Sequence, residues 1–499
     1  LTVEANGASP VIDLASTWNI TDISTVRNYI PQKILKPKLY DWFQQALVKG
    51  SIPRGATTIK GPLDKFPFEN GEGSFLIDAA VRNLTFKYQQ RWPAATQADM
   101  HVILDGTRLY SESNRSLNLG NEVIDAKFEI ADLRDPVLTI DAFSTGTLET
   151  IRTFSQQSPI GDMLGGQLDR ITVSGDASFS LDLRVPLKDA KAFEFTTRIR
   201  SNNGALAINQ FPAQFSDIIG EVTISRDDIS SEALGATFLG QPVTIELLRS
   251  EDPRFSVIAN SRGSVTADAL IEELGLPLDG LISGSTTYET RVLFPRGKQA
   301  TPSPLTIQVE SDLEGLVIGL PEPVGKEGEA SLEVRGDIRF KPGEAVIESA
   351  GFAENDTAWQ VGFVKTDDEW DLDRGVVTLG RDIMQPAETR GLHIRGTTSV
   401  VRLADWLSVS RSGDKQVGAA DRIRSIDLTI EDLYAIGQHL KGHRVRVDRS
   451  ARDWLVQIEG DDVAGSVFVP YDFGSERALV VEMERLRLPG DDESSGEPD

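Results

Sequence analysis

The alternation of apolar and polar positions is clearest between residues 171 and 187. Apolar side chains or glycine occupy the odd positions, while most even positions carry Ser, Thr, Asp or Arg. Because successive side chains of a β-strand point to opposite faces, this period of two predicts one long strand with an apolar face. Unbroken, the strand would span roughly 55 Å, whereas strands usually contain only about 5–6 residues.

The same alternation recurs along the chain and defines a set of apolar strand faces. Within 75–88 the phase changes after Val81, which predicts a β-bulge near residues 82–83. The residues that we predict to line these apolar faces are Phe75, Ile77, Val81, Ile171, Val173, Phe179, Leu181, Leu183, Val185, Ile282, Tyr288, Val292, Phe294, Leu332, Val334, Ile338, Phe340, Ile426, Leu428 and Ile430.

Short amphipathic helices separate these strands. The first is predicted over 37–49, because one apolar stripe forms at helical spacing and Gly50 follows. Three further helix signals are centred near Ile151, Leu270 and Leu403, and Thr266 can cap the third of the four helices. The stripe residues of the first helix are Leu39, Trp42, Phe43, Ala46 and Leu47. We expect these helices to cap a sheet edge, with ligand binding as the alternative.

The order of elements repeats as a short helix, a long strand marked by glycine, and a meander of short strands. Gly61, Gly175 and Gly284 align between repeats. Repeats that pair with their neighbours build an elongated sheet. We therefore predict an all-β protein with a few short helices, whose curled antiparallel sheet forms an elongated groove. The predicted units are 1–143, 144–259, 260–390 and a partial fourth unit at 391–488, followed by an acidic tail at 489–499.

Composition excludes several classes of function. Apolar residues make up 39% and charged residues 25%, as expected of an ordered, soluble chain. The net charge of −25 argues against nucleic acid as a partner and against docking on an anionic bilayer through a basic patch. The absence of cysteine excludes disulfides, thiol catalysis and cysteine-ligated metal. Both ends of the chain look like cuts in a larger protein.

No pattern of residues predicts a catalytic or metal site. His439 and His443 have a spacing that could place two imidazoles on one helix face, but Gly442 interrupts it, so exposed histidines are the preferred interpretation. Paired carboxylates follow from the acidic composition, and neither a nucleophile motif nor a phosphate-binding loop occurs. We predict no enzyme activity, no catalytic residue, no metal and no cofactor.

Five segments together resemble YhdP-type proteins of the AsmA-like superfamily. They are KGPLDKFPF at 60–68, GSFLIDAAVRNLTFKYQQRWP at 73–93, LGQPVTIELL at 239–248, LPEPVGK at 320–326 and GLHIRGTTSVVRLADWL at 391–407. The resemblance implies a very large envelope protein of Gram-negative bacteria, with an inner-membrane helix and a long periplasmic β-groove. Relatives carry phospholipid between the two membranes through such a groove.

This chain would then be a middle, periplasmic segment, tethered to the inner membrane by a helix outside it. The implied partners are phospholipid acyl chains, the remaining N- and C-terminal parts of the same protein, and docking proteins at either membrane. A different hypothesis also fits the apolar faces: they could seal against each other as the cores of closed β-sandwich domains. The protein would then be a periplasmic scaffold or adhesion protein.

Overall fold

A computed structural model describes most of the chain. The residues outside the description are 7–8, 29–36, 69, 164–166, 210, 212, 227, 275–279, 297–304, 342–343, 351–356, 367–368, 381–384, 386, 407–421, 436, 451–452, 471–477 and 488–499. The predicted acidic tail lies among them.

Strands dominate the described residues. The first fifteen are β1 (Thr2–Asn6), β2 (Ser9–Ile20), β3 (Leu47–Pro62), β4 (Ser74–Phe86), β5 (Ala95–Asp105), β6 (Arg108–Asn118), β7 (Asn121–Ile130), β8 (Val137–Thr147), β9 (Ile171–Ser174), β10 (Asp176–Pro186), β11 (Glu194–Ile208), β12 (Gln214–Ser225), β13 (Ile229–Ser231), β14 (Leu234–Phe238) and β15 (Gln241–Arg249). The next fourteen are β16 (Phe255–Thr266), β17 (Ile282–Pro295), β18 (Leu305–Ser311), β19 (Leu316–Ile318), β20 (Val334–Lys341), β21 (Glu344–Ala350), β22 (Ala358–Thr366), β23 (Glu369–Leu379), β24 (Gly391–Arg402), β25 (Ile423–Ala435), β26 (Gln438–Arg449), β27 (Asp453–Glu459), β28 (Val463–Pro470) and β29 (Val480–Leu486).

The helices are few and short. The α-helices are α1 (Pro37–Ala46), α2 (Leu148–Gln156), α3 (Pro159–Met163) and α4 (Ala267–Leu274), and the 3₁₀-helices are Ile23–Asn28, Leu63–Lys65, Gln167–Asp169 and Ala190–Ala192. A single helical turn at 403–406 follows β24. Thr147 caps α2 by accepting a hydrogen bond from the Thr150 N–H, and Thr266 caps α4 in the same way through the Ala269 N–H.

The strands form one continuous sheet in which chain neighbours are also sheet neighbours. Pairing is antiparallel from β1 through β23, and again from β25 to β29. Three short strands lie in line with a longer strand, because both pair with the same neighbour. β9 and β10 both pair with β11, β13 and β14 both pair with β12, and β18 and β19 both pair with β17. Among the described residues no pairing joins the first strands to the last, so the sheet is not closed. The predicted fold class is confirmed.

The fourth unit departs from the predicted meander. β24 runs parallel to both β23 and β25, as shown by the registers Arg374 with Gly391 and Leu392 with Ile423. Each of these three strands therefore starts at the same edge of the sheet. Parallel neighbours need a connection that returns across the sheet, and the residues between these strands, 380–390 and 403–422, lie largely outside the description.

The predicted strand over 171–187 is broken in two. Gly175 has a φ of +108°, and a Cβ at that position would lie 2.5 Å from the Asn203 carbonyl oxygen. The extended backbone is interrupted there because only glycine adopts this conformation without strain. β9 and β10 nevertheless keep their apolar positions in phase, so the break does not change which side chains share a face.

Other boundaries also differ from the prediction. The first helix ends at Ala46, not at residue 49, and β3 begins at Leu47 with no intervening turn. Gly61 lies near the end of β3, whereas Gly175 and Gly284 lie near the starts of β10 and β17. The predicted alignment of these three glycines between repeats is therefore wrong for Gly61. The bulge near residues 82–83 is confirmed by register shifts in both neighbouring pairs of strands. The boundaries of the repeat units remain predictions.

Strand pairing places α1, α2, α4 and the turn at 403–406 at the same edge of the sheet. Helix α1 precedes β3, whose first residue, Leu47, pairs with Phe86 at the end of β4. Helix α2 follows β8, whose last residue, Thr147, pairs with Asp176 at the start of β10. Helix α4 follows β16, whose last residue, Thr266, pairs with Ser285 near the start of β17. We call this the helix edge, and the opposite one the far edge.

One apolar cluster shows that the sheet curls. Ile208 of β11 packs with Val292 of β17 and with Leu305 and Ile307 of β18. Four strand positions lie between β11 and β17, so the strands would be roughly 24 Å apart in a flat sheet. Side chains in contact approach within about 4.5 Å, so the sheet must bend until the two parts of one face meet.

Cysteine pairs can test this curl, because the chain has no cysteine of its own. We expect a short bis-maleimide to join Ile208→Cys to Ile307→Cys within one chain, since both side chains belong to the same cluster. The matched control is Ile199→Cys with Ile307→Cys, because Ile199 lies on the same strand outside the cluster. Equal cross-linking of both pairs, measured by mass spectrometry of the monomer, would contradict the curl.

Candidate functional site

The register of the sheet identifies the residues that share one face. Leu181 of β10 pairs with Ala142 of β8 and with Thr197 of β11. Directly paired residues project to the same side of a sheet, so the odd positions of β10 continue into both neighbours. Following the pairs outward carries this face from β4 to β28. We call it the inner face and its opposite the outer face.

The structure brings nearly all the predicted lining residues together on the inner face. Two of the twenty need separate mention. Leu332 lies before β20, not within it, and its N–H donates to the Asp312 carbonyl at 2.6 Å. Phe340 pairs through its backbone with Leu305, and its side chain is outside the described residues. Whether these residues contact a ligand remains a prediction.

Most of the inner face is half-buried. Among the described lining residues only Val81, Val292 and Ile430 are buried, at 5%, 9% and 3% exposure. The side chains of β10, including Phe179 and Leu181, keep part of their surface in water. The apolar face is therefore covered only in places.

Sequence reasoning missed the inner-face residues of the intervening strands. These strands were recognised only as meander, although their own alternation of apolar and polar residues carried the signal. The register adds Leu104, Ile140, Ile199, Val222, Ile245, Ile307 and Val447 to the face. The apolar surface thus continues between the predicted long strands.

Hydroxyl groups on the inner face have hydrogen-bond partners within the sheet. The Ser144 hydroxyl donates to the Glu122 carbonyl at 2.8 Å, and the Thr197 hydroxyl donates to the Ser180 carbonyl at 2.7 Å. The hydroxyls of Ser261 and Thr290 share a hydrogen bond of 2.5 Å. Because these donors are engaged, the hydroxyls add little polarity to the surface that an apolar ligand would meet.

A row of aromatic rings connects α1 to α2 along the helix edge. The ring centroids of Trp42 and Phe86 are 5.8 Å apart, and the row continues through Tyr88 and Trp92 to Phe154 of α2. The Trp42 indole N–H donates to the Tyr88 carbonyl at 2.8 Å. These contacts are those of helices that cap the ends of strands, as the sequence led us to expect.

The helical turn at 403–406 is held in a similar way. The Trp406 indole donates to the Glu322 carbonyl at 3.1 Å, and the Arg402 guanidinium pairs with the Glu322 carboxylate at 2.6 Å. The segment at 320–326, which contributed to the family resemblance, thus contacts the turn from a distant part of the chain. Leu407, the last residue of the segment at 391–407 that contributed to the family resemblance, lies outside the described residues.

Two local elements cover the inner face near the helix edge. The 3₁₀-helix at 23–28 places Ile23 against Ile52, Val81 and Leu84. Near α4, Tyr288 packs with Val265 and Leu270, and its ring lies opposite Gly263. These contacts account for the burial of Val81 and for the partial burial of Tyr288.

Of the two histidines that were predicted to be exposed, His439 is exposed and His443 is not. His439 and His443 lie on β26, not on a helix, and His439 stacks on Tyr434 with 4.5 Å between ring centroids. His443 is fully buried beside Ile430 and Gly460, so the expectation of exposed histidines was wrong there. The two imidazoles therefore do not form a metal site. Among the described residues no group of three or more His, Cys, Asp or Glu side chains could hold a metal ion.

Comparison of the sequence with known proteins identifies the family to which the chain is similar. The sequence model of the YhdP protein family matches residues 1–499. The chain is 22% identical over 460 residues to the intermembrane phospholipid transporter YhdP of Escherichia coli (strain K12). The aligned region covers 91% of this chain and 36% of that protein. The chain thus spans about a third of the length of that relative. No solved structure matches the chain.

Within the described residues no helix has the length and apolar character needed to span a membrane.

Tyr288 provides a spectroscopic test of the inner face. Burial raises its pKa to about 12 from an ordinary value of 10.0, because desolvation disfavours the phenolate. The folded state therefore gains stability that is complete below pH 10 and is lost as the pH rises toward 12. Tyr288→Phe should remove a tyrosine that ionises late in an ultraviolet titration of the folded chain. If the substitution removes amplitude near pH 10 instead, Tyr288 is exposed to water.

Proposed function

This chain belongs to the YhdP family, and we propose that it forms part of a conduit that holds phospholipid acyl chains on its inner face. The supporting observation is the continuity of that face. Strand pairing carries it from β4 to β28, and most of its apolar side chains are only half-buried. An acyl chain needs a dry surface along its length and no specific polar partner, so this face suits it.

The energetics favour sequestration without a tight site. Each buried methylene contributes about 0.8 kcal/mol, so a chain of sixteen carbons would gain on the order of 10 kcal/mol. The same burial is available in a bilayer, and it is repeated at many positions along the face. Transfer between neighbouring positions therefore exchanges one apolar contact for another, which favours sliding over trapping.

The wider setting is part of the same proposal. The Escherichia coli relative is an intermembrane phospholipid transporter, and we infer that this segment acts in the periplasm between the two membranes. The remaining N- and C-terminal parts of a longer chain would extend the conduit. A tethering helix and docking proteins at the membranes would complete the path, as the resemblance of the sequence implies.

A second candidate function is a periplasmic scaffold with sealed cores. The observation that favours it is the apolar cluster around Ile208 and Val292, where two parts of the inner face pack directly on each other. If such packing were to extend along the whole chain, no surface would remain for lipid. The two experiments below separate these candidates.

Photocrosslinking tests whether lipid contacts the inner face. A photoreactive amino acid at 179 or 181 should capture phospholipid in cells, because both positions lie on the inner face and are half-buried. The matched controls are positions 178 and 180, which alternate with them on the same strand and face outward. Equal capture at all four positions, measured by mass spectrometry of the adduct, would count against the conduit.

A charge on the inner face should separate the conduit from a sealed core. Phe179→Asp should lower the phospholipid that co-purifies with the chain severalfold while leaving the thermal unfolding midpoint within a few degrees of wild type. The reason is that a carboxylate in an open trough stays hydrated, whereas an unpaired charge in a sealed core is very costly. Ser180→Asp, on the outer face, should change neither quantity. A large loss of stability in Phe179→Asp would favour the scaffold.

A further inference from the structure

At the helix edge, two strands project beyond the strands between them. β17 begins at Ile282, whereas its pairing with β18 starts at Glu289. β24 continues to Arg402, beyond its last pair with β23, which involves Leu379. Because six strand pairings separate β17 from β24, the two would be roughly 29 Å apart in a flat sheet. The connection between β18 and β20, residues 312–333, contacts both projecting ends. We call it the finger.

On the side of β17, the finger is part of the sheet. Its strand β19 pairs with the projecting start of β17, so that Ile318 lies opposite Ile282 and Leu316 lies opposite Gly284. Because directly paired residues share a face, Ile318 and Leu316 extend the inner face onto the finger. Leu316 is buried, with 5% of its surface exposed. The finger therefore continues the apolar wall beyond the ends of the neighbouring strands.

On the side of β24, the finger makes contact through Glu322. The Glu322 carboxylate lies 2.6 Å from the Arg402 guanidinium, and the Glu322 carbonyl accepts a hydrogen bond of 3.1 Å from the Trp406 indole. The side chains of Glu322 and Arg402 are 65% and 48% exposed. Exposed ion pairs contribute little stability, because water competes for both partners. This contact is therefore easier to break than the backbone pairing that joins the finger to β17.

Hydrogen bonds within the finger hold it together as one body. The Ile318 N–H donates to the Lys326 carbonyl at 2.9 Å, and the Lys326 N–H donates to the Ile318 carbonyl at 3.0 Å. The Lys326 side chain is buried, and its ammonium donates to the carbonyls of Leu316 and Glu327 at 2.8 Å and 2.9 Å. Separating a buried charge from its hydrogen-bond partners is costly. The finger would therefore move as a unit and not unravel.

Two glycines provide a hinge where the finger meets the main sheet. Gly284 of β17 and Gly315 of the finger have φ values of +88° and +87°. A Cβ at Gly284 would clash with the Gly315 carbonyl oxygen, so this close approach requires glycine. The pairing of β17 with β16 also stops at Ser285. Small residues at the end of an element can absorb a change in backbone angles, so residues 282–284 can swing together with the finger.

We propose that the finger is a gate at the helix edge of the conduit, hinged beside Gly284 and Gly315 and held shut by the contact of Glu322 with β24. When the gate is closed, the finger continues the apolar wall. When it is open, the finger separates from β24 and leaves a side entrance through which a phospholipid enters or leaves the inner face. The proposal rests on the function proposed above, and it gives the contact between residues 320–326 and the turn at 403–406 a role in that function.

A reversible cross-link in the 499-residue chain tests whether the gate must open. Glu322→Cys with Arg402→Cys, joined by a reducible bis-maleimide, ties the finger to β24, because the native side chains are in contact. Ser283→Cys with Val317→Cys is the matched control, since this cross-link joins directly paired residues within the moving part. The probe is a vesicle of dioleoyl phosphatidylcholine with a trace of fluorescent phosphatidylethanolamine. Uptake is read as fluorescence of the protein after the vesicles have been removed by centrifugation.

We expect the cross-link between positions 322 and 402 to slow uptake about tenfold, because it prevents opening, and reduction to restore the rate. The control cross-link should leave the rate unchanged. Glu322→Gln in the cysteine-free chain should raise the rate about threefold, as expected from the loss of one exposed ion pair. Glu310→Gln removes the same charge from an exposed pair with Arg335 and should change nothing. An unchanged rate in the cross-linked variant would overturn the gate.

A distance measurement without lipid separates this inference from the proposed function. Spin labels at Val324→Cys and Leu403→Cys report the gap between the finger and the turn at 403–406, and both positions are exposed. We expect a short and a long distance, with the long one more populated in Glu322→Gln. A single short distance in both proteins would overturn the gate while leaving the conduit in place. If the wild-type chain takes up no lipid, the conduit fails, and the gate for lipid fails with it.

Discussion

The whole structure depends on one constraint: directly paired residues in a sheet share a face. The apolar residues at odd positions of β10 therefore dictate which side of β8 and β11 must be apolar, and the dependence passes from pair to pair. A shift by one residue in any strand would expose its apolar side chains. Because the part of the chain that the structure describes places no second sheet on it, the apolar side can leave water only by curling on itself. The contact between Ile208 and the β17–β18 region follows from that requirement.

Local patterns in the sequence predict the local parts of this structure. Alternation gave the apolar face of β10, and the phase change after Val81 gave the bulge, because both depend only on neighbouring residues. Pairing across the sheet is not local. Nothing in the alternation of β24 distinguishes a parallel from an antiparallel partner, so the gathering of strand starts at the far edge could not be foreseen. His443 was misjudged for the same reason, since its burial depends on Ile430 of the neighbouring strand β25 and on Gly460, which follows β27.

The outer face differs from the inner face because it must stay soluble among other proteins. It carries cross-strand ion pairs such as Arg444 with Asp427 at 2.7 Å and Arg200 with Glu221 at 2.9 Å. Exposed pairs of this kind contribute little stability, typically below about 1 kcal/mol each. Their value is that a charged face does not stack on another sheet. The acidic excess of the chain, with its net charge of −25, also keeps such surfaces apart.

The inner face would act on a moving lipid in the same way at each position. Each acyl methylene that leaves one apolar contact would enter another, so the free energy would change little along the face. Uniform contact of this kind favours sliding, whereas a single tight site would hold the lipid in place.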